Sequence, residues 1–309
     1  MAEITSAALD EGAPTEGETG LARRDWRPYL LLLAPVAFTT LLVIGPLLSM
    51  LRMSLYARTS LRVFDPGTLT LGNYLNFFTS KASLKVAWGT IFYSLEVTAI
   101  TLVLGYPVAY FLMRTRSRWR PLLFAIVVMP FMVSLVVSAY GWLLLLGLNG
   151  PVNWLLTKLP FISEPVKLAN TSTGAIIAMG FNYTSYQILP LISSLGSIDR
   201  DWEHASASLG AHPTQTFFRV ILPLSMPGVV SGCSMVLILT MTSFIAPRMI
   251  GGPQMAMLGV DIYNNMLIYL NWPQASAIGF ILMAATVALY LVVAVGLRSE
   301  HMERERGSR

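Results

Sequence analysis

Residues 198–228, with the sequence IDRDWEHASASLGAHPTQTFFRVILPLSMPG, form a long polar-to-amphipathic interval between apolar runs. Asp199 or Asp201 can cap a short helix and place negative charge at its positive end. Gly210 suits the left-handed residue that closes a helix, and Pro213 suits the first position of the next one. We therefore predict two short helices with a break between them.

The first of these helices has one face that is suited to contact with another protein. Trp202, Ala205 and Leu209 are spaced i, i+3 and i+7, so they share a face. The small side chains of residues 205–208 keep the helix thin, which lets another backbone approach closely. A thin, capped helix between apolar runs is suited to dock in a groove on a partner protein.

The composition around this stretch is that of a polytopic membrane protein. Hydrophobic residues make up 54% of the chain and charged residues only 12%, which is far from the balance of a soluble domain. The single cysteine, Cys233, excludes an intrachain disulfide. The net charge of +5 comes from arginines clustered beside apolar runs, which favours a topological role over nucleic-acid binding.

Six apolar stretches are near or above the roughly 20 residues that a helix needs to cross a membrane. We assign the spans to residues 29–50, 86–113, 122–148, 172–195, 229–250 and 275–297. The third span is broken at Pro130. We also expect an amphipathic surface helix at residues 69–78 and a short helix in the loop of residues 151–170.

Arginine placement predicts the orientation of these spans. The loop RTRSRWR, residues 114–120, carries four arginines and is very short, which indicates the cytoplasmic side. Arginines also precede the first span, at Arg23, Arg24 and Arg27. Alternation then places residues 198–228 and both termini in the cytoplasm. The basic residues of the outer loop 51–84 argue mildly against this orientation, but a long loop can translocate despite its charge.

The chain divides into a membrane domain and two tails. Residues 1–27 begin with an acidic, small-residue segment that lacks the features of a signal peptide, so we predict a disordered cytoplasmic tail. Residues 28–297 form one six-span membrane domain that contains the loop 198–228. Residues 298–309 form a charged cytoplasmic tail.

No enzymatic motif is present in the sequence. It lacks the phosphate-binding pattern G-x-x-x-x-G-K-[ST] and the zinc pattern H-E-x-x-H. Its three histidines, His204, His212 and His301, have no metal-ligand spacing. We therefore predict a membrane protein that is not itself an enzyme and that holds no metal or cofactor.

The loop 198–228 resembles the "EAA" loop of membrane-spanning permease subunits of binding-protein-dependent ABC importers. The family pattern is Glu-Ala-Ala, three residues, Gly, nine residues and Ile-x-Leu-Pro. Gly210, Leu222 and Pro223 match it at the right spacing, and Val220 takes the isoleucine position. The acidic position falls on His204. The remaining motif positions fall on Ala205 and Ser206, and Glu203 lies beside the motif.

Other segments are similar to the spermidine/putrescine-type branch of these permeases. They are TLGNYLNFF, GYPVAY, MPFMVSLVVSAYGWLLLLG, SFIAPRMIGGP and MLGVDIYNNMLIYLNWPQASAIGF, so the resemblance covers about residues 29–297. It implies an all-α, six-span, type I ABC importer-like permease with a cytoplasmic coupling helix. The implied partners are a second related permease in a heterodimer, two ATPase subunits that bind ATP and Mg²⁺, a periplasmic binding protein and membrane lipid.

Two sets of residues are predicted to carry this function. The ATPase-coupling set is Trp202, Glu203, His204, Ala205, Ser206, Leu209, Gly210 and Pro213. The translocation-path set is Glu96, Tyr140, Asn182, Tyr186, Thr240, Ser243 and Phe244.

Each path residue also has a structural interpretation. An intramembrane acid such as Glu96 usually faces a cavity or a partner, yet it can equally be hydrogen-bonded at a helix contact. The polar residues of the fourth span can line a path or bond neighbouring helices. Tyr140 can stack on an amine or anchor a span at the membrane boundary.

The leading hypothesis is an importer subunit that forms half of a path for a small polar organic solute. A polyamine or related amine is the expected solute, with an opine, an amino-acid derivative or a phosphonate as alternatives. A stand-alone secondary transporter or channel is the alternative function, but it predicts paired intramembrane charges or inverted halves that the sequence does not display.

Overall fold

The computed structural model describes residues 27–59, 62–158, 160 and 164–307. The disordered tail predicted for residues 1–27 lies, except for Arg27, outside the described residues. That part of the sequence interpretation stays a prediction.

The described chain is mostly helical. In the first half the elements are α1 (Arg27–Ser54), β1 (Tyr56–Thr59), β2 (Arg62–Leu69), α2 (Gly72–Thr79), α3 (Lys81–Arg114), α4 (Arg120–Met132), α5 (Leu135–Leu146) and α6 (Pro151–Leu156). In the second half they are α7 (Ser172–Gly196), α8 (Asp201–Ser208), α9 (Pro213–Thr216), a π-helical turn (Phe217–Ile221), α10 (Leu222–Met241), α11 (Ile245–Met249), α12 (Leu258–Tyr263), a second π-helical turn (Asn264–Ile268) and α13 (Trp272–Gly307).

The chain separates into two units, residues 1–49 and residues 50–309. In the first unit, α1 contains Pro35 and Pro46. Thr39 Oγ1 donates to the carbonyl of Pro35 at 2.8 Å, so its hydroxyl is satisfied within the helix itself. An apolar helix can carry such hydroxyls because they need no partner outside it.

Five helical stretches among the described residues are long and apolar enough to cross a membrane. They are Pro35–Ser54, Lys81–Arg114, Leu135–Leu156, Pro213–Met241 and Trp272–Val292. The remaining predicted span, residues 172–195, is α7, whose 25 residues are long enough to cross but include many polar side chains. About half of its residues are buried, because α7 packs between α3 and α10. Protein contacts therefore accommodate its polar groups.

Close packing of α10 on α7 depends on two glycines four residues apart. A Cβ at Gly228 would lie 2.5 Å from the Cβ of Ser194, and a Cβ at Gly232 would lie 2.7 Å from Gln187 Nε2. Small residues at i and i+4 allow two membrane helices to approach closely. This Gly-x-x-x-Gly pair is readable in the sequence, but it is absent from our sequence interpretation.

The third predicted span, residues 122–148, is two helices in the structure. The break lies at Val133 and Ser134, whose backbones are extended, and not at Pro130 as predicted. Pro130 stays inside α4. Near it, the carbonyl of Val127 accepts a hydrogen bond from Ser185 Oγ of α7 at 2.6 Å. This hydrogen bond links α7 to α4 near Pro130.

The fifth predicted span, residues 229–250, has different limits in the structure. A continuous helical run starts at Pro213 and ends at Met241, so the second short helix of the loop is joined to the span. The joint is the π-helical turn Phe217–Ile221. The turn ends two residues before Pro223, which has no N–H to offer to the preceding turn, and this favours a local widening of the helix.

The helix of the sixth span extends beyond residues 275–297, since α13 runs from Trp272 to Gly307, although its membrane-spanning part is Trp272–Val292. The tail predicted as residues 298–309 is rich in glutamate and arginine, which are good helix formers. Helix propensity thus extends α13 beyond its apolar part.

The outer loop 51–84 contains the predicted surface helix, α2, and an antiparallel hairpin that was not predicted. In the hairpin Tyr56 pairs with Leu69. Asn73 of α2 donates from Nδ2 to the carbonyls of Ser54 and Tyr56, at 2.8 and 2.9 Å. One buried amide therefore holds the hairpin against α2.

Candidate coupling site and membrane path

Helix α8 begins at an acidic turn. The carboxylate of Asp199 accepts the backbone N–H of Asp201 at 3.1 Å. The cap position itself is Arg200, which makes no side-chain capping hydrogen bond, so the predicted cap by Asp199 or Asp201 is wrong. Asp201 is the first residue of α8, and Glu203 also lies in its first turn. Negative charge at this end stabilises the helix through its dipole.

Gly210 ends α8 as predicted. Its φ is +81°, a backbone conformation that residues other than glycine rarely adopt. Its N–H donates to the carbonyl of Ala207 at 3.0 Å, and the N–H of Ala211 donates to Ser206 at 3.2 Å. Pro213 then opens α9, which confirms the predicted break between the two helices.

One face of α8 is uncovered. Trp202 is 60% exposed and Leu209 is 88% exposed, and Ala205 lies on the same face and is also exposed. We call Trp202, Ala205 and Leu209 the exposed face of α8. A short helix that leaves two large apolar side chains uncovered indicates a contact surface.

Other side chains of α8 attach it to the rest of the chain. Glu203 Oε1 lies 2.5 Å from Arg114 Nη2 at the end of α3. Ser206 Oγ lies 2.8 Å from Thr216 Oγ1 of α9. His204, at the position where the family pattern has an acid, is exposed. The acid that does make a contact is therefore Glu203, rotated by about 100° around the helix from the motif position.

Two predicted path residues on α7 make contacts inside the bundle. Asn182 is buried and accepts a hydrogen bond from Ser138 Oγ of α5 at 2.7 Å. Tyr186 is half-buried, with its ring centroid 4.9 Å from that of Phe131 and 6.2 Å from that of Tyr183. The two residues thus join α7 to its neighbours.

Near the end of α10 the predicted residues have different environments. Thr240 is fully buried and donates to the carbonyl of Val236 at 2.8 Å. Ser243 is half-buried and lies close to the Tyr183 hydroxyl. Since Tyr183 also contacts the ring of Tyr186, it brings two predicted path residues, Tyr186 and Ser243, to one location.

The other predicted path residues lie apart from this location. Phe244 is 41% exposed, and its ring is stacked on Tyr263 with centroids 5.9 Å apart. Glu96 is half-buried in α3. Tyr140 is 59% exposed on α5, as a residue at a lipid boundary or a subunit contact would be. Whether these residues line a path stays a prediction.

Several polar residues with notable contacts were missed by the sequence interpretation. Arg114 was assigned only a topological role, although it pairs with Glu203. Gln187 is fully buried between α3 and α10, beside Cys233. Asp261 of α12 accepts from Asn265 Nδ2 at 3.0 Å, and burial raises the pKa of its carboxyl above the ordinary value, an effect that the Asn265 amide opposes.

The sequence is similar to known transport proteins. The family of binding-protein-dependent transport system inner membrane components matches residues 101–299. The spermidine/putrescine transport system permease protein PotB of Haemophilus influenzae is 35% identical over 225 residues, which cover 72% of this chain and 78% of that protein. The inner membrane ABC transporter permease protein YdcU of Escherichia coli is 30% identical over 275 residues, or 85% and 87% of the two chains.

The fold is also similar to that of a solved transporter. A chain of a bacterial alginate ABC transporter, crystallised with an alginate pentasaccharide-bound periplasmic protein, superposes with a TM-score of 0.69. The alignment covers 87% of this chain and 93% of that chain at 18% identity. At that identity the likeness concerns the fold alone.

Proposed function

Because the chain belongs to the family of binding-protein-dependent transport system inner membrane components, we propose that it forms half of the translocation path for a small polar organic solute. As a member of that family it is a permease subunit of an ABC importer. It is also a multi-pass protein of the inner membrane, in keeping with its apolar helices.

The observation that carries the coupling part of the proposal is the exposed face of α8. Trp202 and Leu209 are uncovered on a helix of eight residues that connects two spans through tight turns. Ala205 between them leaves room for a close approach. We propose that this face fills a groove on an ATPase subunit, where burial of its apolar area stabilises the complex.

Movement of α8 would then change the state of the spans. Closure of the ATPase dimer displaces α8 as a rigid body, and the spans alternate between inward-open and outward-open states. Such coupling requires contacts that differ in free energy between the two states. The turn at Gly210 and the helix start at Pro213 limit the flexibility of α8 and so favour rigid-body movement.

The assembly that we propose contains four kinds of subunit. A second, related permease completes the path as a heterodimer with this chain, two ATPase subunits bind ATP and Mg²⁺, and a periplasmic protein delivers the solute. The sequence supports this division of labour because it lacks a phosphate-binding G-x-x-x-x-G-K-[ST] motif. In this arrangement the chain needs no cofactor of its own.

We propose that both termini lie in the cytoplasm. The short arginine-rich connection between α3 and α4 supports this orientation. The loop that contains α8 then faces the same side, where ATPase subunits are found.

The proposed solute is a polyamine or a related amine. The name of the Haemophilus influenzae relative, a spermidine/putrescine permease, supports it. So does the half-buried acid Glu96 within α3, since an intramembrane carboxylate attracts a cation. An opine, an amino-acid derivative or a phosphonate remains the alternative.

The docking proposal predicts that Ala205→Arg uncouples the transporter, because a long charged side chain would stand in the centre of the exposed face. We expect uptake and ATPase stimulation to fall by about tenfold or more, the range of a typical coupling free energy. Uptake is measured in liposomes containing the assembled complex. Thr214→Arg is the matched control, since Thr214 is exposed in the same loop but outside α8. Full activity of assembled Ala205→Arg would contradict docking through this face.

The solute assignment is tested on the cognate binding protein of this permease. We expect calorimetric titration to detect spermidine or putrescine binding at concentrations where an opine or a phosphonate gives no signal. Binding of only the latter compounds would refute the polyamine assignment and leave the importer function intact.

A further inference from the structure

The contact between Glu203 and Arg114 is shielded from solvent. The paired atoms, Glu203 Oε1 and Arg114 Nη2, are 2.5 Å apart, and both are buried. The side chains are 26% and 16% exposed, respectively. A shielded ion pair is screened little by salt, and removal of one partner leaves the other charge uncompensated. The contact is therefore a specific link between α8 and α3.

A second contact joins the same two places. Arg200, just before α8, donates from Nη2 to the backbone carbonyl of Arg114 at 3.1 Å. Arg114 is the last residue of α3, where backbone carbonyls lack helical partners and attract cations. The α8 segment thus contacts both the side chain and the backbone carbonyl of Arg114 at the end of α3.

From Arg114 the contacts continue into the spans. Its guanidinium lies 5.9 Å from the ring centroid of Tyr110, and that ring meets Phe217 of the π-helical turn edge to face at 5.9 Å. Phe217 also contacts Tyr106 at 5.4 Å, and the Tyr106 hydroxyl lies 2.8 Å from Ser225 Oγ of α10. A continuous set of contacts therefore links α8 with α3 and α10.

We propose that Glu203 and Arg114 are positioning residues that hold α8 against the end of α3, so that a displacement of α8 moves α3 and α10 with it. This inference rests on the proposed docking of α8 on an ATPase subunit. Glu203 acts within this chain, and contact with the ATPase belongs to the exposed face of α8. Packed side chains and ion pairs are the physical means by which such a displacement is passed on.

Glu203 and the exposed face of α8 lie on different sides of the helix, so attachment to α3 and docking on the ATPase can be separated. Trp202 and Leu209 lie within about 20° of each other around α8, whereas Glu203 is about 100° from Trp202. A groove that covers the exposed face leaves the Glu203 side free to stay with Arg114. His204, at the acidic position of the family pattern, is exposed and has no ion pair among the described residues.

The test exchanges the two charges in the complete transporter, with both permeases, both ATPase subunits and the binding protein in liposomes. The variants are Glu203→Arg, Arg114→Glu and the double variant that carries both. Uptake of radiolabelled spermidine per ATP hydrolysed is measured, together with hydrogen exchange of the α8 amides. Arg116→Glu is the matched control, because it makes the same charge change at an exposed residue.

We expect each single variant to lower uptake per ATP and to speed α8 exchange by about tenfold, and the double variant to restore both within about twofold of wild type. Single variants that match wild type, or a double variant no better than the singles, would overturn the proposal. If the single variants do not assemble, assembly and activity of the double variant support it, and failure of the double variant overturns it. A wild-type complex without ATP-driven spermidine uptake would refute the polyamine assignment, and the exchange data would still decide the role of the pair.

Discussion

Gly210 shows how much of the coupling site rests on the backbone of a single residue. No atom lies within 4 Å of the position that a Cβ would occupy, yet its φ is +81°. Space is thus available for a side chain, and only the backbone conformation selects glycine. Asparagine tolerates this conformation better than alanine, because its side chain can bond the local backbone.

We predict that Gly210→Ala introduces about 1–2 kcal/mol of backbone strain at the end of α8 and that Gly210→Asn introduces less. The strain should speed amide exchange at the end of α8 by roughly tenfold in the alanine variant. Hydrogen exchange with mass spectrometry on the intact complex measures it. Equal exchange in wild type and both variants would show that the turn does not depend on this φ.

Among the elements, the crossing of α7 and α10 sets the shape of the bundle. Gly228 faces the backbone carbonyl of Pro190 and the side chain of Ser194, and Gly232 faces Gln187. Pro190 and Ser194 lie one turn apart on α7, so the two helices meet along a continuous line of close approach. A Cβ would lie 2.9 Å from the Pro190 carbonyl oxygen at Gly228 and 3.0 Å from the Gln187 carbonyl oxygen at Gly232. Backbone atoms cannot move aside as a flexible side chain can, so both positions demand glycine.

We therefore predict that Gly228→Ala lowers the stability of the assembled permease by about 1–3 kcal/mol, the usual effect of overpacking. Gly279→Ala in α13 is the control, because nothing lies within 4 Å of its Cβ position. Alanine there should be neutral or stabilising, since it favours helix. Thermal unfolding in detergent compares them, and an equal midpoint for both variants would argue against a close crossing.

At the level of the whole molecule, the arginine-rich loop and α8 are expected on one side of the membrane and the loop after α6 on the other. Ser117 lies in the first of these regions and Glu164 in the loop after α6, and both residues are exposed. Since Cys233 is the single cysteine, its replacement by alanine provides a background for labelling.

In that background we predict that Glu164→Cys reacts with a membrane-impermeant maleimide in intact spheroplasts. Ser117→Cys should react only after the membrane is permeabilised, because positive charge retains its loop in the cytoplasm. The opposite pattern of labelling would invert the orientation and would place α8 out of reach of an ATPase.

The sequence alone determined the features that depend on local chemistry and on the bilayer. The turn around Gly210 and the helix start at Pro213 follow from backbone preferences of single residues, and both are confirmed. The length of the apolar stretches predicted most spans. In the hydrocarbon core a chain must pair its own backbone N–H and C=O groups, and it does so by forming a helix. The family resemblance was also visible in the sequence and is confirmed by the match to residues 101–299.

Only the tertiary structure decided which side chains meet. Glu203 and Arg114 are far apart in the sequence, and their contact depends on how α8 is rotated and where α3 ends. The break at Val133, the joining of α9 to α10 and the enclosure of α7 likewise depend on neighbouring helices. Local propensity and hydropathy describe one segment at a time, whereas these features arise from the free energy of packing between segments.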